Sequence, residues 1–256
     1  MNKKKVVLFK KEGPIAYITL NRPEKINAMN EAVYEQLAEG VKKYTSDDSL
    51  LCAIVSGAGG NFSSGGDLKW FLERSKAHES AYDYPPYKAL DLCPKPVIAA
   101  IDGYCLASGF NCAVLYCDIR IASERAILGI PAVKRGLPIS YPIPFTWHMT
   151  LGNALYMVLT GKMLSAEEAL RMGIVSEVVS HETLMARATE LATTISEAAP
   201  LHVRCHKEFL RRFVEAPGCF GQRLIDLVMA PLSSSQDSIE GKQAFIEKRK
   251  PTYRNS

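Results

Sequence analysis

Apolar and polar positions along this chain switch between a period of two and a period near 3.6. Residues 6–10 and 15–20 are short runs rich in Val, Ile and Leu, and Glu12-Gly13-Pro14 between them supplies a turn, so the pattern predicts two strands. Asn21-Arg22-Pro23 breaks the sheet. From residue 30 to about 44, Val33, Leu37 and Val41 recur at helical spacing, and Ser46-Asp47-Asp48 closes the helix. Residues 52–56 and 96–101 are unbroken apolar runs, the pattern of buried strands. Each is followed by a Gly-rich turn: Gly59-Gly60-Asn61-Phe62-Ser63-Ser64-Gly65-Gly66-Asp67-Leu68, and Asp102-Gly103-Tyr104-Cys105-Leu106-Ala107-Ser108-Gly109-Phe110-Asn111. Each turn leads into a predicted helix, the first over 68 to about 74 with Trp70 and Phe71 on it.

Residues 75–85 are polar and tyrosine-rich, and form either a lid over a site or a plain surface connection. A helical stretch over 87–92 ends at Pro94-Lys95-Pro96. Strands are expected at 117–122 and 126–131. Three prolines bar a regular helix from 136–144. Helical patterning resumes over 154–159, up to Gly161. Ser165-Ala-Glu-Glu168 is a capping box that opens a helix through Met172, with Gly173 as its stop. Residues 174–179 read as a strand. From about 181 the pattern is helical, shifting register near Pro200, Pro217 and Pro231. Strand–strand–helix units up to about residue 180, then a helical tail, make the class α/β.

Strand, Gly-rich turn and helix together aim free backbone N–H groups at one point, where negative charge is held. Two such turns side by side make a two-donor pocket for an oxyanion. Composition adds limits. The basic residues are scattered apart from Lys3-Lys4-Lys5 and Lys248-Arg249-Lys250, which argues against a nucleic-acid surface, while a net charge of +4 suits an anionic small molecule. No run approaches the roughly 18 apolar residues of a membrane span, and the apolar run at 6–9 is too short for a signal core, so a cytoplasmic location without a membrane partner is expected. The seven cysteines form no zinc pattern and read mostly as buried free thiols.

At several places the chain resembles the crotonase superfamily, the enoyl-CoA hydratase/isomerase group. The matching stretches are Leu20-Asn21-Arg22-Pro23-Glu24-Lys25-Ile26-Asn27-Ala28, Asn61 to Leu68, Lys95-Pro96-Val97-Ile98-Ala99-Ala100, and Gly103-Tyr104 through Cys117-Asp118-Ile119-Arg120-Ile121-Ala122. Later come Leu159-Thr160-Gly161, Ala169 to Val175, and Glu240-Gly241 with Ala244-Phe245-Ile246-Glu247-Lys248-Arg249. Their order and spacing, more than any one motif, carry the likeness. It implies a crotonase-like spiral of strand–strand–helix units over 1–197 and a C-terminal helical region over 198–256 that serves oligomerisation and completes the CoA site. It also implies an acyl-CoA thioester substrate, coenzyme A entering only as part of that substrate with no separate cofactor or metal, and assembly as a homotrimer or dimer of trimers. The oxyanion donors implied are the N–H of Gly66 and that of Ser108 when aligned from Gly103. Alignment backward from Asp118 gives Gly109, because this stretch is one residue longer than the family pattern. Ser108 is favoured, since the following helix can absorb a bulge. Lys25, Ala28, Ser64, Asp67, Leu68 and Lys248 are the implied substrate contacts, with Lys248 near the nucleotide phosphates.

The resemblance also exposes departures. Where family hydratases carry two glutamates, the aligned positions are Asn111 (or Cys112) and Ala132. Adding water across a double bond needs a base for the water and an acid for the α-carbon. Asn111 orients water but cannot take its proton. The loop Gly136-Leu137-Pro138-Ile139-Ser140-Tyr141 resembles decarboxylating members, and Tyr141 is the candidate to hold a carboxylate or reprotonate carbon, although no histidine stands at the Gly66 position. Asp67, Glu73, Asp91 and His148 are further candidates, with helix capping expected of Asp67 and a structural role of His148. Tyr82, Tyr84 and Tyr87 are candidate linings of an acyl pocket. Three readings follow: a hydratase/isomerase-type enzyme with non-standard acid–base residues and an unusual or cyclic enoyl-CoA, a decarboxylase or carbon–carbon-cleaving enzyme, and an acyl-CoA-binding protein without chemistry.

Overall fold

The computed structural model describes residues 5–77, 90, 93–135, 143–215 and 235–254. Strands β1 (Val7–Glu12) and β2 (Ile15–Leu20) form an antiparallel hairpin whose turn places Gly13 at φ +54°. Helix α1 (Glu31–Ser46) opens where expected. The Asn30 side chain accepts the Val33 N–H at 3.2 Å, and Val33, Tyr34, Leu37, Val41 and Tyr44 face inward. Strand β3 (Cys52–Gly57) leads through the first Gly-rich turn into α2 (Leu68–Lys76). Strand β4 (Val97–Ile101) leads into the second turn, which contains β5 (Tyr104–Leu106) and ends in α3 (Ser108–Phe110). That helix continues as a π-helix over Asn111–Leu115. Then come β6 (Ile119–Ser123), β7 (Ile127–Gly129), α4 (Leu151–Thr160), β8 (Met163–Ser165), α5 (Ala166–Arg171) and β9 (Glu177–Val179). Helices α6 (Leu184–Ser196), α7 (Pro200–Glu215) and α8 (Gln236–Glu247) complete the described chain.

The larger sheet runs β1-β2-β3-β4-β6-β9, parallel from β2 onward, and the smaller runs β5-β7-β8. Both faces of the larger sheet are covered, which is why β3 over residues 52–55 and the whole of β4 are apolar and buried. Ala53, Val55, Val97, Ala99 and Ile101 join the main core beneath α1. Cys52, Ile54, Ile98 and Ala100 face α6 through Leu184, Ala188 and Ala192. The capping box forms as expected, with Ser165 and Glu168 each accepting the other's backbone N–H.

Two expectations need correction. The strand expected over 174–179 is only Glu177–Val179, because the Ile174 N–H still bonds to Ala169 O at 2.9 Å and finishes the α5 turn. Strands β5 and β8 were not expected, being three residues each and too short for a periodic signal. The expected helix at 87–92 and loop at 136–144 fall wholly or largely outside the described residues.

The C-terminal helices are anchored by charge. Lys95 is fully buried, and its Nζ donates to the carbonyls of Tyr44 (3.1 Å), Asp47 (2.8 Å) and Leu50 (3.1 Å), capping the end of α1. Burial lowers its pKa. Lys207 on α7 donates to Lys95 O at 2.8 Å and pairs with Asp118 at 2.8 Å, and Arg211 reaches the other Asp118 oxygen at 3.0 Å. No helix among the described residues is long and apolar enough to cross a membrane.

Candidate functional site

The two Gly-rich turns lie against each other. The Phe62 N–H donates to Asp102 O (2.7 Å), Ser63 N–H to Tyr104 O (2.7 Å), and Leu106 N–H to Ser63 O (2.9 Å), a parallel bridge between Ser63 and Cys105. This close approach requires glycine twice. Gly65 has φ +106°, and a Cβ there would stand 2.9 Å from both Ala107 Cβ and Leu106 O. A Cβ on Gly109 would stand 2.7 Å from Ser63 Cβ.

The segment after β2 is stitched onto the first turn. Ser64 N–H donates to Ile26 O (2.8 Å), Met29 N–H to Gly65 O (2.8 Å) and Asp67 N–H to Met29 O (2.9 Å). Buried Asn27 donates to Ala58 O (2.8 Å) and Asn61 O (2.7 Å) while its Oδ1 accepts the Arg22 N–H (2.8 Å). Its own carbonyl accepts from Ser63 Oγ at 2.8 Å. To meet these partners Ile26 and Asn27 take left-handed φ values of 49° and 52°. Arg22 completes the clamp, donating to Ala28 O at 2.6 Å and through both terminal nitrogens to Asp67 Oδ2 at 3.2 Å.

These bonds fix where the Gly66 N–H points. In the parallel bridge between Met29 and Gly66, Gly65 C=O and Asp67 N–H turn toward Met29, so the N–H of Gly66 itself turns to the opposite edge. No acceptor among the described residues receives it. The second turn ends on Ala107, held at φ 47° and ψ −113° with its N–H on Gly129 O at 2.9 Å. That conformation is costly for a residue with a side chain, and such strain gathers at functional sites. It starts α3, whose first closing bond is Asn111 N–H to Ala107 O at 2.9 Å. The N–H groups of Ser108, Gly109 and Phe110 therefore have no carbonyl of their own helix to donate to.

Among the expected residues, the structure ties Lys25, Ala28, Ser64 and Asp67 into one hydrogen-bonded assembly, sets Gly66 in the bridge to Met29 and Gly109, next to Ser108, against Ser63, and leaves Leu68 on the exposed first turn of α2. Asp67 caps α2, accepting from Lys69 N–H at 3.2 Å, and is also held by Arg22. Asn111 is buried at the start of the π-helix, and Ala132 is buried on the 3-10 turn Pro131–Arg135. Lys248 caps α8 in the left-handed region with an exposed side chain, and no described contact joins it to the turns. Tyr141, Tyr82, Tyr84, Tyr87 and Asp91 lie outside the described residues. His148 follows the 3-10 turn Ile143–Trp147, and burial, aided by Arg120 and Arg211, pushes its pKa down to about 3. Burial raises the Cys105 and Cys112 thiols well out of the reactive range.

Sequence reading had not singled out Arg22 and Asn27 as the clamp, Ala107 as the strained pivot or Asp102 as an anchor. Asp102 Oδ1 accepts from Ser123 Oγ (2.7 Å) and Arg125 Nε (2.8 Å), and Oδ2 accepts from Arg125 Nη2 (2.7 Å) and lies 2.9 Å from His181 Nδ1. Burial opposes ionisation there, but the Arg125 and Ser123 hydrogen bonds prevail and hold the carboxyl below its usual value.

A family model described as enoyl-CoA hydratase/isomerase matches residues 10–256. The chain is 38% identical over 255 residues to a carnitinyl-CoA dehydratase of Salmonella typhi, covering 95% of this chain and 96% of that one. It is 36% identical over 250 residues to a mevalonyl-coenzyme A hydratase of Aspergillus fumigatus, covering 94% and 92%. A crystal structure of an enoyl-CoA hydratase from Bacillus anthracis superposes with a TM-score of 0.92 at 28% identity, covering 98% of this chain and 100% of that one.

Proposed function

This chain belongs to the enoyl-CoA hydratase/isomerase family and has its crotonase fold, and from that premise we propose that the abutting turns bind the thioester oxygen of an acyl-CoA. The observation that carries the reading is the outward-turned Gly66 N–H beside the unspent N–H groups at the start of α3. Ser108 is the second donor in this proposal. The π-helix over Asn111–Leu115 supports it, since a wider turn takes up the extra residue behind the donor rather than at it. When a nucleophile adds to the β-carbon, the electron pair moves through the α-carbon to the thioester oxygen. Two preorganised N–H groups stabilise that enolate, each worth roughly 100- to 1000-fold in kcat.

Within this proposal, Lys25, Ala28 and Ser64 line the path of the CoA moiety, and Lys248 serves its phosphates. The favoured reaction is water addition to an enoyl-CoA, or its reverse, water removal from a 3-hydroxyacyl-CoA, in keeping with the hydratase and dehydratase relatives. Asn111 orients the water, a residue other than Asn111 takes its proton, and a proton delivered to the α-carbon completes the 3-hydroxyacyl thioester. The test is incubation with a panel of enoyl-CoA and malonyl-type thioesters followed by mass. A gain of water is expected. Loss of CO2 instead supports the decarboxylase reading, in which Tyr141 holds the departing carboxylate. Binding without any mass change leaves a non-catalytic acyl-CoA binder, and absence of binding overturns the proposal. Leu151, Leu155 and Leu159 form an exposed stripe on α4, which supports assembly as a trimer or dimer of trimers. Light scattering on the purified protein tests this, and a monomer refutes it.

A further inference from the structure

Gly66 has a neighbour that oxyanion geometry alone does not require. A Cβ placed on Gly66 would overlap the ring of Phe71, whose Cδ2 and Cζ would both lie 3.0 Å from it. The ring therefore rests against one face of the residue proposed as first donor. It is held there from two sides. The Phe71 backbone N–H bonds to Asp67 O at 3.0 Å, fixing it in the first turn of α2. Its ring meets Trp70 edge-on at 5.2 Å and 87°, and Trp70 in turn packs on buried Tyr34 at 5.5 Å. The Arg74 guanidinium stands 5.5 Å from the Trp70 ring centre. Tyr34, Trp70 and Phe71 thus form a braced aromatic row running from the core under α1 to the Gly66 peptide.

We infer that Phe71 determines which acyl groups the site accepts, by limiting bulk at the acyl α-carbon. This inference rests on the thioester reading above. A thioester oxygen bound by the Gly66 N–H places the carbonyl carbon and the α-carbon within two bonds of that contact. A ring seated against Gly66 Cα is then a wall beside the α-carbon. A flat, unbranched acyl chain passes along the ring face, and a methyl branch at the α-carbon meets its edge. Because the row behind Phe71 is braced, the ring cannot yield without moving Trp70.

The test compares binding of butyryl-CoA and 2-methylpropanoyl-CoA by calorimetry, which does not depend on which reaction the enzyme performs. One methyl group in a rigid apolar pocket is worth roughly 10- to 200-fold. The wild type is expected to bind butyryl-CoA at least about tenfold more tightly. Phe71→Ala is expected to bring the two affinities within about threefold, mainly by tightening the branched ligand. Phe71→Leu serves if the alanine variant does not fold, and should narrow the ratio by about threefold or more. Equal affinities in the wild type, or an unchanged ratio in a folded variant, overturn the role of Phe71. If the wild type binds neither thioester, the thioester reading itself fails, an outcome distinct from a failure of the Phe71 wall.

Discussion

Gly65→Ala is the sharpest probe of the junction between the two turns. The added methyl meets two separate obstacles. The backbone sits at φ +106°, where a residue with a side chain costs about 1–3 kcal/mol. The methyl itself would lie 2.9 Å from Ala107 Cβ and 2.9 Å from Leu106 O. The carbonyl oxygen belongs to the backbone and cannot rotate away, so overpacking adds about 1–3 kcal/mol. Together the loss is about 2–6 kcal/mol, or roughly 4–24 °C in Tm for a chain of this size. Because Gly65 O holds the Met29 N–H at 2.8 Å and precedes the proposed donor, affinity for butyryl-CoA should also fall by more than about tenfold, or 1.4 kcal/mol. A second substitution isolates the cause. Ala107→Gly removes one of the two close atoms and relieves Ala107's own left-handed backbone, so in the Gly65→Ala background it should restore about 1 kcal/mol. In the wild type its effect should be near zero, since relief of strain is offset by the flexibility of glycine. Thermal and urea unfolding of the four proteins measure this cycle. A Gly65→Ala protein as stable as wild type, or an Ala107→Gly effect equal in both backgrounds, refutes the steric account.

Other outcomes follow from the same geometry. Arg22→Ala removes the bonds to Ala28 O and Asp67, and thioester affinity should drop about tenfold, or 1.4 kcal/mol; Arg22→Lys should not restore it, because one ammonium cannot reproduce the fork, and calorimetry decides. His148 is neutral in the fold down to about pH 3 but protonates near 6.5 when unfolded. Its stabilising contribution is therefore complete above pH 6.5 and is lost as pH falls toward 3, at up to about 1.4 kcal/mol per unit. His148→Gln should flatten that slope in urea titrations between pH 4 and 6, and an unchanged slope refutes the assignment. Lys95→Met strands the carbonyls of Tyr44, Asp47 and Leu50 and should cost about 2–4 kcal/mol of unfolding free energy. Tyr141→Phe should slow turnover by roughly tenfold or more if its hydroxyl moves a proton, and wild-type rates remove it from the chemistry.

Local signals in the sequence were sufficient for several elements. Asn30 announced α1, Ser165 and Glu168 announced α5, and the unbroken apolar runs of β3 and β4 announced strands buried on both faces. The glycines announced the turns, because few other residues tolerate φ +106° or the approach of Ser63 to Gly109. The clamp was less legible. Asn27 meets Ala58 and Asn61 across more than 30 positions, and no local pattern predicts such partners. The conformation of Ala107 was hidden for the opposite reason: alanine there gives no sign of a backbone that glycine would suit better. Phe71 read only as an aromatic on a helix until its ring was found on Gly66.

The π-helical turn at Asn111–Leu115 divides the segment behind the second Gly-rich turn into two phases. Ahead of it, positions count from Gly103; behind it, they count back from Asp118, and the two counts disagree by one. On the proposed assignment each count holds on its own side, and one alignment offers Ser108, the other Gly109. Side chains can be matched column by column with relatives only within a phase. Deleting one residue from the wide turn should merge the phases into an ordinary α-helix, leaving both the turn ahead and β6 behind in place. On that assignment the added residue is a local adjustment of pitch, carried where neither end has to move.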